Sequence, residues 1–374
     1  MNTNQMMVRD FDTAMNKIAP TSLAQDWDNV GLLTGHYDDP MRSVMLCIDL
    51  TPAVAKEAVS AKVDLVMAYH PPIFKPLKRL IGSESQDAFP VYHCVRNGVA
   101  IYSTHTALDA AVGGTNDVIA DLCSMTNVTH LEYVETPGQP QAKLIVFVPE
   151  QNVDDVADAM FDAGAGQIGD YQQCSFRSNG TGTFFGNEDT NPAVGRKGKR
   201  ESVAEIRLEV VVPQSKISEV LRALRESHPY EEPAYDLYTL QPRPTGGIGR
   251  IGSLPSGTTL NDLATTLKKA TNAPLVQIVG PADTQLKRGI IVVGSAGRLP
   301  FQAGIGKGDV VITGEIRHHD ALAFRTAGAT AIALNHWSSE RPALRALADL
   351  LRPELAGVHI ALSEADQEIF APIP

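Results

Sequence analysis

Val44-Met-Leu-Cys-Ile-Asp-Leu50 runs directly into Thr51-Pro52, and Leu65-Val-Met-Ala-Tyr69-His70 follows one helix-length later. The first run is short and apolar, as a buried strand is. Thr51 then offers an N-cap and Pro52 the first helical position, where a missing N–H is harmless. A helix therefore opens there and runs to about Ala61. Leu65–Tyr69 reads as the next strand and Ala88–Asn97 as the next helix, with Gly98 as its C-cap. A third strand, Val99–Ser103, and a third helix, Asn116–Leu122, continue the pattern. Strands alternating with helices over short connections mean a parallel sheet.

The same grammar returns near the other end. Ile290–Val293, Val310–Thr313 and Thr330–Leu334 read as strands, His318–Ala327 and Ser339–Leu351 as helices, and Val358–Leu362 as a closing strand. The middle differs and contains a faint duplication. Leu144, Val148 and Pro149 are echoed by Leu208, Val212 and Pro213, and Val153 and Val156 by Ile217 and Val220, every pair offset by 64 residues. Two βα units joined this way suggest a ferredoxin-like, split-βαβ module. Gly180–Arg200, rich in Gly, Asn, Thr and Lys, reads as a long loop inside it. The expectation is an α/β metal-binding domain in two halves, residues 1–127 and 246–374, interrupted by an α+β insert over 128–245.

Composition bounds the function. With 374 residues, 43% apolar and 20% charged, the chain is an ordinary globular one, long enough for two or three domains. A formal net charge of −11 disfavours non-specific nucleic-acid binding but leaves room for a local basic pocket. Neither a signal peptide nor a membrane-spanning run is visible, and Cys47, Cys94, Cys123 and Cys174 form no C-x-x-C pair. A soluble cytoplasmic protein with reduced thiols is expected.

The chemistry lies in where His and acidic residues fall. His70 ends one expected strand; His105 and Asp109 follow another. Glu315, with His318 and His319 just beyond, follows a third, and His336 and Glu340 a fourth. The carboxyl ends of parallel strands form the rim where ligands bind, so four strands deliver donors to one edge. His105-x-x-x-Asp109 and His336-x-x-x-Glu340 share a spacing that puts both side chains on one helical face. Such a pair is either a two-point metal clamp or a carboxylate–histidine hydrogen bond. Without cysteine, nitrogen and oxygen donors point to Zn, Mn or Fe.

The segments Tyr69-His70-Pro71-Pro72-Ile73-Phe74, Ser103–Asp109, Thr313–Asp320, His336-Trp-Ser-Ser-Glu340 and Asp26–Leu32 resemble the Nif-three-like dinuclear-metal family, whose members are often named homologues of GTP cyclohydrolase type 2. Gly166–Phe176, Gly180–Gly182 and His228–Asp236 look like the PII/CutA-like insert of its longer members. The resemblance covers nearly the whole chain in motif order. It implies one or two divalent ions per chain, a ring-shaped homohexamer and a small-molecule substrate such as a nucleotide. Carried over by position, it gives His70, Asp109, His336 and Glu340 as ligands, Glu340 as a bridge, and His105, His318 and His319 lining the cavity for proton transfer. The family's first motif has two adjacent histidines, and here the first is Tyr69. Tyr69 binds as a phenolate, or His105 substitutes, or the first metal is weakened; a weakened or altered first metal is the favoured expectation.

The implied chemistry is metal-assisted hydrolysis, with hydroxide attacking the guanine imidazole carbon of GTP and formate leaving. Arg317 and Arg298 are candidates to meet a triphosphate. A non-catalytic metal-binding or regulatory protein and a metal-dependent phosphoesterase are the competing readings. Gly247-Ile-Gly249-Arg-Ile-Gly252 matches a dinucleotide-binding pattern but follows a Pro-rich stretch rather than a strand, and no helix opens directly after it. Gly304–Gly308 and Val293–Gly297 fail the phosphate-loop and nucleophile-elbow tests. Their glycines, like those of Gly247–Gly252, read as tight turns after strands. His228-Pro-Tyr-Glu-Glu232 reads as a structural or interfacial turn.

Overall fold

The computed structural model describes residues 5–133, 141–169, 171–240 and 246–373. By contacts the chain divides into two compact units, Met1–Thr136 with Pro244–Pro374, and Pro137–Arg243. The first half of unit 1 runs α1 (Val8–Ile18), β1 (Gly31–Thr34), β2 (Ser43–Cys47), α2 (Pro52–Ser60), β3 (Leu65–Ala68), α3 (Phe89–Arg96), β4 (Ala100–Ser103), α4 (His105–Ala110), α5 (Thr115–Leu122) and β5 (Thr126–Tyr133). Unit 2 follows with β6 (Gln141–Pro149), α6 (Val153–Asp162), β7 (Ser175–Phe185), β8 (Arg200–Pro213), α7 (Ile217–Ser227) and β9 (Tyr235–Leu240). The second half of unit 1 is β10 (Gly247–Ser253), α8 (Leu260–Thr271), β11 (Gln277–Val279), β12 (Arg288–Ser295), β13 (Asp309–Glu315), α9 (His318–Thr326), β14 (Thr330–Ala333), α10 (His336–Glu354) and β15 (His359–Leu362).

Unit 1 holds two sheets. The first has the order β1-β4-β3-β2-β15, parallel from β4 to β15 with β1 antiparallel at its edge. Strands β3 and β4 are buried throughout, as a parallel sheet covered on both faces requires. Thr51 caps α2 by accepting from Val54 N, with Pro52 in the first turn. The second sheet has the order β11-β14-β13-β12-β10-β5, parallel over β12, β13 and β14.

The two halves of unit 1 exchange strands. β15 from the end of the chain pairs with β2, and β5 from the first half pairs with β10. Residues 128–133, expected to open the insert, therefore belong to the six-stranded sheet, and unit 2 starts at Pro137. The Gly247–Gly252 run is a strand rather than a turn. Gly249 has φ +65, and a Cβ there would sit 2.9 Å from Ile291 O, so the close approach of β12 requires a glycine. Between them, Arg250 is almost fully buried, donating through Nε and Nη2 to Asp117 on α5 and through Nη1 and Nη2 to three carbonyls. A buried guanidinium paired on this scale pins one half of the unit to the other.

Unit 2 is a single antiparallel sheet in the order β7-β8-β6-β9, with α6 between β6 and β7 and α7 between β8 and β9. The strands of the sequence duplication lie side by side, Val146 opposite Leu208. Leu144, Val146, Val148, Leu208, Val210 and Val212 form one core with Val156 and Val220 of the two helices. The expected loop over 180–200 is shorter, because Gly180–Phe185 continues β7 against β8. His228 is buried, its Nε2 against Phe147 O at 3.0 Å and its Nδ1 accepting from Tyr230 N, which makes that turn a structural one.

Candidate metal centre

Where the parallel strands of unit 1 end, the chain presents its chemistry. Asp49 follows β2, His70 follows β3 and His105 follows β4; Glu315 ends β13 and His336 follows β14. These strands belong to two sheets, β2, β3 and β4 to the five-stranded one and β13 and β14 to the six-stranded one, so the donors come from the carboxyl ends of two sheets rather than from the single edge expected from the sequence. His336 opens α10, and Glu340, one turn on, points back beside it, its Oε1 3.3 Å from His336 Nε2. The other oxygen, Oε2, is 3.3 Å from His70 Nε2. Nitrogen or oxygen atoms of His70, His336 and Glu340 all fall within 4.8 Å of one another, so the three could hold one cation.

Each imidazole is oriented by a second carboxylate. His70 Nδ1 is 3.0 Å from Asp49 Oδ1, and His336 Nδ1 is 3.1 Å from Glu315 Oε1. A carboxylate on Nδ1 fixes the proton there and turns the Nε2 lone pair inwards, as metal-ligating histidines are usually held. Glu340 is 3% exposed, and its Oε2, though near His70, lies outside hydrogen-bond geometry and has no hydrogen-bond partner. Burial pushes this carboxyl's pKa up, but the two imidazoles outweigh it and hold it low. Burial pulls His70 down, yet its contacts with Asp49 and Glu340 raise it to about 10. Contact with Glu340 likewise raises His336 against burial.

The backbone leaves space for this arrangement. A Cβ on Gly294 (φ +63) would lie 2.5 Å from Glu340 Oε1, and one on Gly314 would lie 2.8 Å from His336 Cα. Asn335, just before His336, has φ 69 and ψ 153, and His105 has φ 27. Both are sparsely populated conformations for a side-chain-bearing residue, costing about 1–3 kcal/mol each, and both flank the cluster. The orphaned carboxylate oxygen, the two glycine approaches and a nitrogen–oxygen donor set fit a divalent cation.

Tyr69 and Asp109 are not in this group. The Tyr69 hydroxyl donates to Asp109 Oδ1 at 2.5 Å, and Thr115 Oγ1 donates to the same oxygen. Burial, then the nearby charges of Asp109 and Glu340, keep the phenol protonated. Burial raises Asp109 to about 6, with Thr115 and Tyr69 opposing it. The His105/Asp109 pair, expected to act together, is not joined by an ion pair: His105 Nδ1 turns to Asp28 Oδ1 at 2.8 Å. Its ring nevertheless stays near, 5.4 Å from His70 and 5.6 Å from Tyr69. His318 and His319 are exposed at the start of α9 and in ring contact with each other; among the described residues neither joins the cluster. Arg317 is paired with Asp320, and Arg298 lies over Phe301.

Two residues escaped the sequence reading. Asp49 ends a rim strand just as His70 does, so the strand-end rule could have found it. Asp366 could not have been found that way. It is buried and accepts from Ile48 N, Trp337 Nε1 and Arg341, clasping the end of β2 to the first turns of α10 from 26 residues beyond Glu340.

A family model described as Duf34/NIF3 (NGG1p interacting factor 3) matches residues 6–368. A Halalkalibacterium halodurans protein named GTP cyclohydrolase 1 type 2 homolog is 38% identical over 309 residues, 81% of this chain and 82% of that one. A Bacillus subtilis protein of the same name is 34% identical over 95% of each. Among solved structures, a Bacillus cereus protein related to NIF3 aligns with a TM-score of 0.77 at 30% identity, covering 99% of this chain and 100% of that one. A Staphylococcus aureus protein aligns with a TM-score of 0.82 at 26% identity over the same shares.

Proposed function

The chain belongs to the Duf34/NIF3 family, and from that premise we propose that it is a divalent-metal-dependent hydrolase centred on His70, Glu340 and His336. One observation carries the reading: a buried glutamate with an orphaned oxygen, flanked by two imidazoles whose outer nitrogens are each held by a carboxylate. A divalent ion at this place, Zn, Mn or Fe, supplies Lewis-acid polarisation and lowers the pKa of water. Asp49 and Glu315 keep the two Nε2 atoms aimed at it. His105, held by Asp28 next to His70, is placed to move a proton. Asp109 is the ligand for a second, weaker ion, with Tyr69 as its competitor.

The substrate in this reading is a nucleotide, and GTP is the first to test because curated relatives carry the name GTP cyclohydrolase 1 type 2 homolog. Unit 2 is proposed to be a ferredoxin-like, PII/CutA-like insert; its strand order and its two helices support that. Copies of the chain would assemble as a homohexamer. Exposed Tyr171, Phe176, Phe185 and Tyr238 in unit 2 support self-association. No described helix is long and apolar enough to cross a membrane, and the four free cysteines suit a reducing cytoplasm.

The test is elemental analysis of tag-free protein, with formate release from GTP measured on the same samples. Close to one divalent ion per chain, lost in His336→Ala, with release lost in Glu340→Ala, is the expected result. Tight metal binding without turnover of nucleotides or phosphoesters would favour the second reading, a non-catalytic metal-binding protein. The closed Tyr69–Asp109 contact is the feature that favours it.

A further inference from the structure

Next to the cluster is an aromatic surface that metal binding does not explain. Trp27 and Phe74 are 60% and 46% exposed. Their ring centroids are 6.0 Å apart, and each ring meets His105 edge-on, at 6.0 and 6.5 Å. His105 is in turn one ring contact from His70. The backbone under the rings is braced: Asn29 Nδ2 donates to Ile73 O, and Asp28 holds both His105 Nδ1 and Thr106 N. Two large rings kept in water on braced loops forgo the free energy of burial that they would gain against a partner.

The second observation is electrostatic. Immediately after Phe74 come Lys75, Lys78 and Arg79, all exposed. Among the described residues, none of the three has an ion pair within salt-bridge distance. In a chain of net charge −11, three unpaired cations within five residues are a local reversal of sign. Aromatic faces beside unpaired cations suit a ligand with a planar ring at one end and a phosphate-type anion at the other.

We infer that Trp27 and Phe74 form a stacking platform for the heteroaromatic ring of a nucleoside phosphate, with Lys75, Lys78 and Arg79 receiving its phosphates. This deepens the reading of the neighbouring cluster as a reaction centre and rests on it, assigning the substrate-binding residues. The rings meet at 67°, so a planar ligand can stack on one and meet the other edge-on, and His105, in ring contact with both, is itself 5.4 Å from His70. Arg317 and Arg298, which already have partners, are replaced as the phosphate-binding cations.

The chain has two tryptophans, so in a Trp337→Phe background the fluorescence reports Trp27 alone. Full-length protein, treated with chelator, is titrated with GTP, guanosine and inorganic tripolyphosphate. GTP should quench saturably, guanosine at about tenfold higher concentration, and tripolyphosphate should compete without quenching. Phe74→Ala should raise the Kd about tenfold, within the range that base–aromatic stacking supplies. Lys78→Ala with Arg79→Ala should raise it and flatten its dependence on salt. Equilibrium dialysis on the wild-type chain gives the same Kd without the Trp337 substitution. Absence of quenching at millimolar GTP, or quenching indifferent to Phe74→Ala, overturns the proposal. So does a change of sedimentation mass in Phe74→Ala, which would give the patch to a second copy of the chain. Because the titration is run without metal, its failure leaves the metal stoichiometry standing. Failure of the wild-type protein to bind metal would equally leave this Kd standing.

Discussion

Two carboxylates, Glu340 buried and Asp109 half-buried, lie close to the same site, and the protein treats them in opposite ways. Glu340 is flanked by the imidazoles of His70 and His336, which hold its pKa below the ordinary value despite burial. Asp109 is met by neutral hydroxyls, from Tyr69 and Thr115, and burial raises it to about 6. Glu340 calls for positive charge and leaves one oxygen without a hydrogen bond. Asp109 has its near oxygen saturated by donors that carry no charge. On the metal-binding reading proposed above, what already donates to each oxygen, rather than the number of acids and histidines at the strand ends, would set the metal capacity.

The hardest test of that contrast is to remove each carboxylate's charge in turn. Glu340→Gln should weaken binding of the tightest divalent ion by at least about a hundredfold, since a buried amide cannot balance the cation's charge. Asp109→Asn should leave that affinity within a few-fold. Isothermal titration with Zn²⁺ and Mn²⁺ reads both. Equal losses would mean that the two acids share one ion and that the contrast drawn here is false.

A smaller effect is expected one contact further out. Asp49→Ala and Glu315→Ala each free an imidazole to rotate and to exchange its proton, and such outer partners are typically worth about 10–100-fold in metal affinity. Asp49 and Glu315, with side chains 48% and 56% exposed, should cost about the same. Next comes a gain. Tyr69→His removes the hydroxyl that occupies Asp109 and supplies a nitrogen in its place, so the variant should bind a second equivalent of metal that the parent binds weakly. Unchanged stoichiometry would show that Asp109 is held closed by Thr115 or by burial alone.

Much of this was legible in the chain because parallel strands announce themselves and their ends are chemically defined. Leu65–Tyr69, Val310–Thr313 and Thr330–Leu334 are largely apolar runs that end just before the site, so His70, Glu315 and His336 could be placed without coordinates. The spacing of His336 and Glu340 needed only helical geometry. The equal spacing of His105 and Asp109 did not reveal their partners, because α4 opens with a positive φ at His105 and both side chains meet residues of other elements. Strand exchange was also out of reach: β5 and β10 pair across the insert, and the glycines of β10 resemble turn residues until β12 is seen packed against them. Long-range partners such as Asp366 leave no local periodicity to read.

The finest distinction between the two acids is one of pH. With its folded-state pKa raised to about 6 from an ordinary 3.8, Asp109 holds its proton more tightly folded than unfolded. Its contribution therefore favours the fold at low pH, falls as pH climbs from about 4 through 6, and is then constant. Glu340, held low, contributes in the opposite sense, its share lost as pH falls below the ordinary carboxylate range. In chelator-treated protein Asp109→Asn should consequently stabilise at pH 8 by about 1–3 kcal/mol and have little effect at pH 4, as measured by urea unfolding of matched samples. Destabilisation at pH 8 would show that the ionised aspartate gains more from Tyr69 and Thr115 than burial takes away, and Asp109 would then be a stronger candidate ligand than the contrast allows.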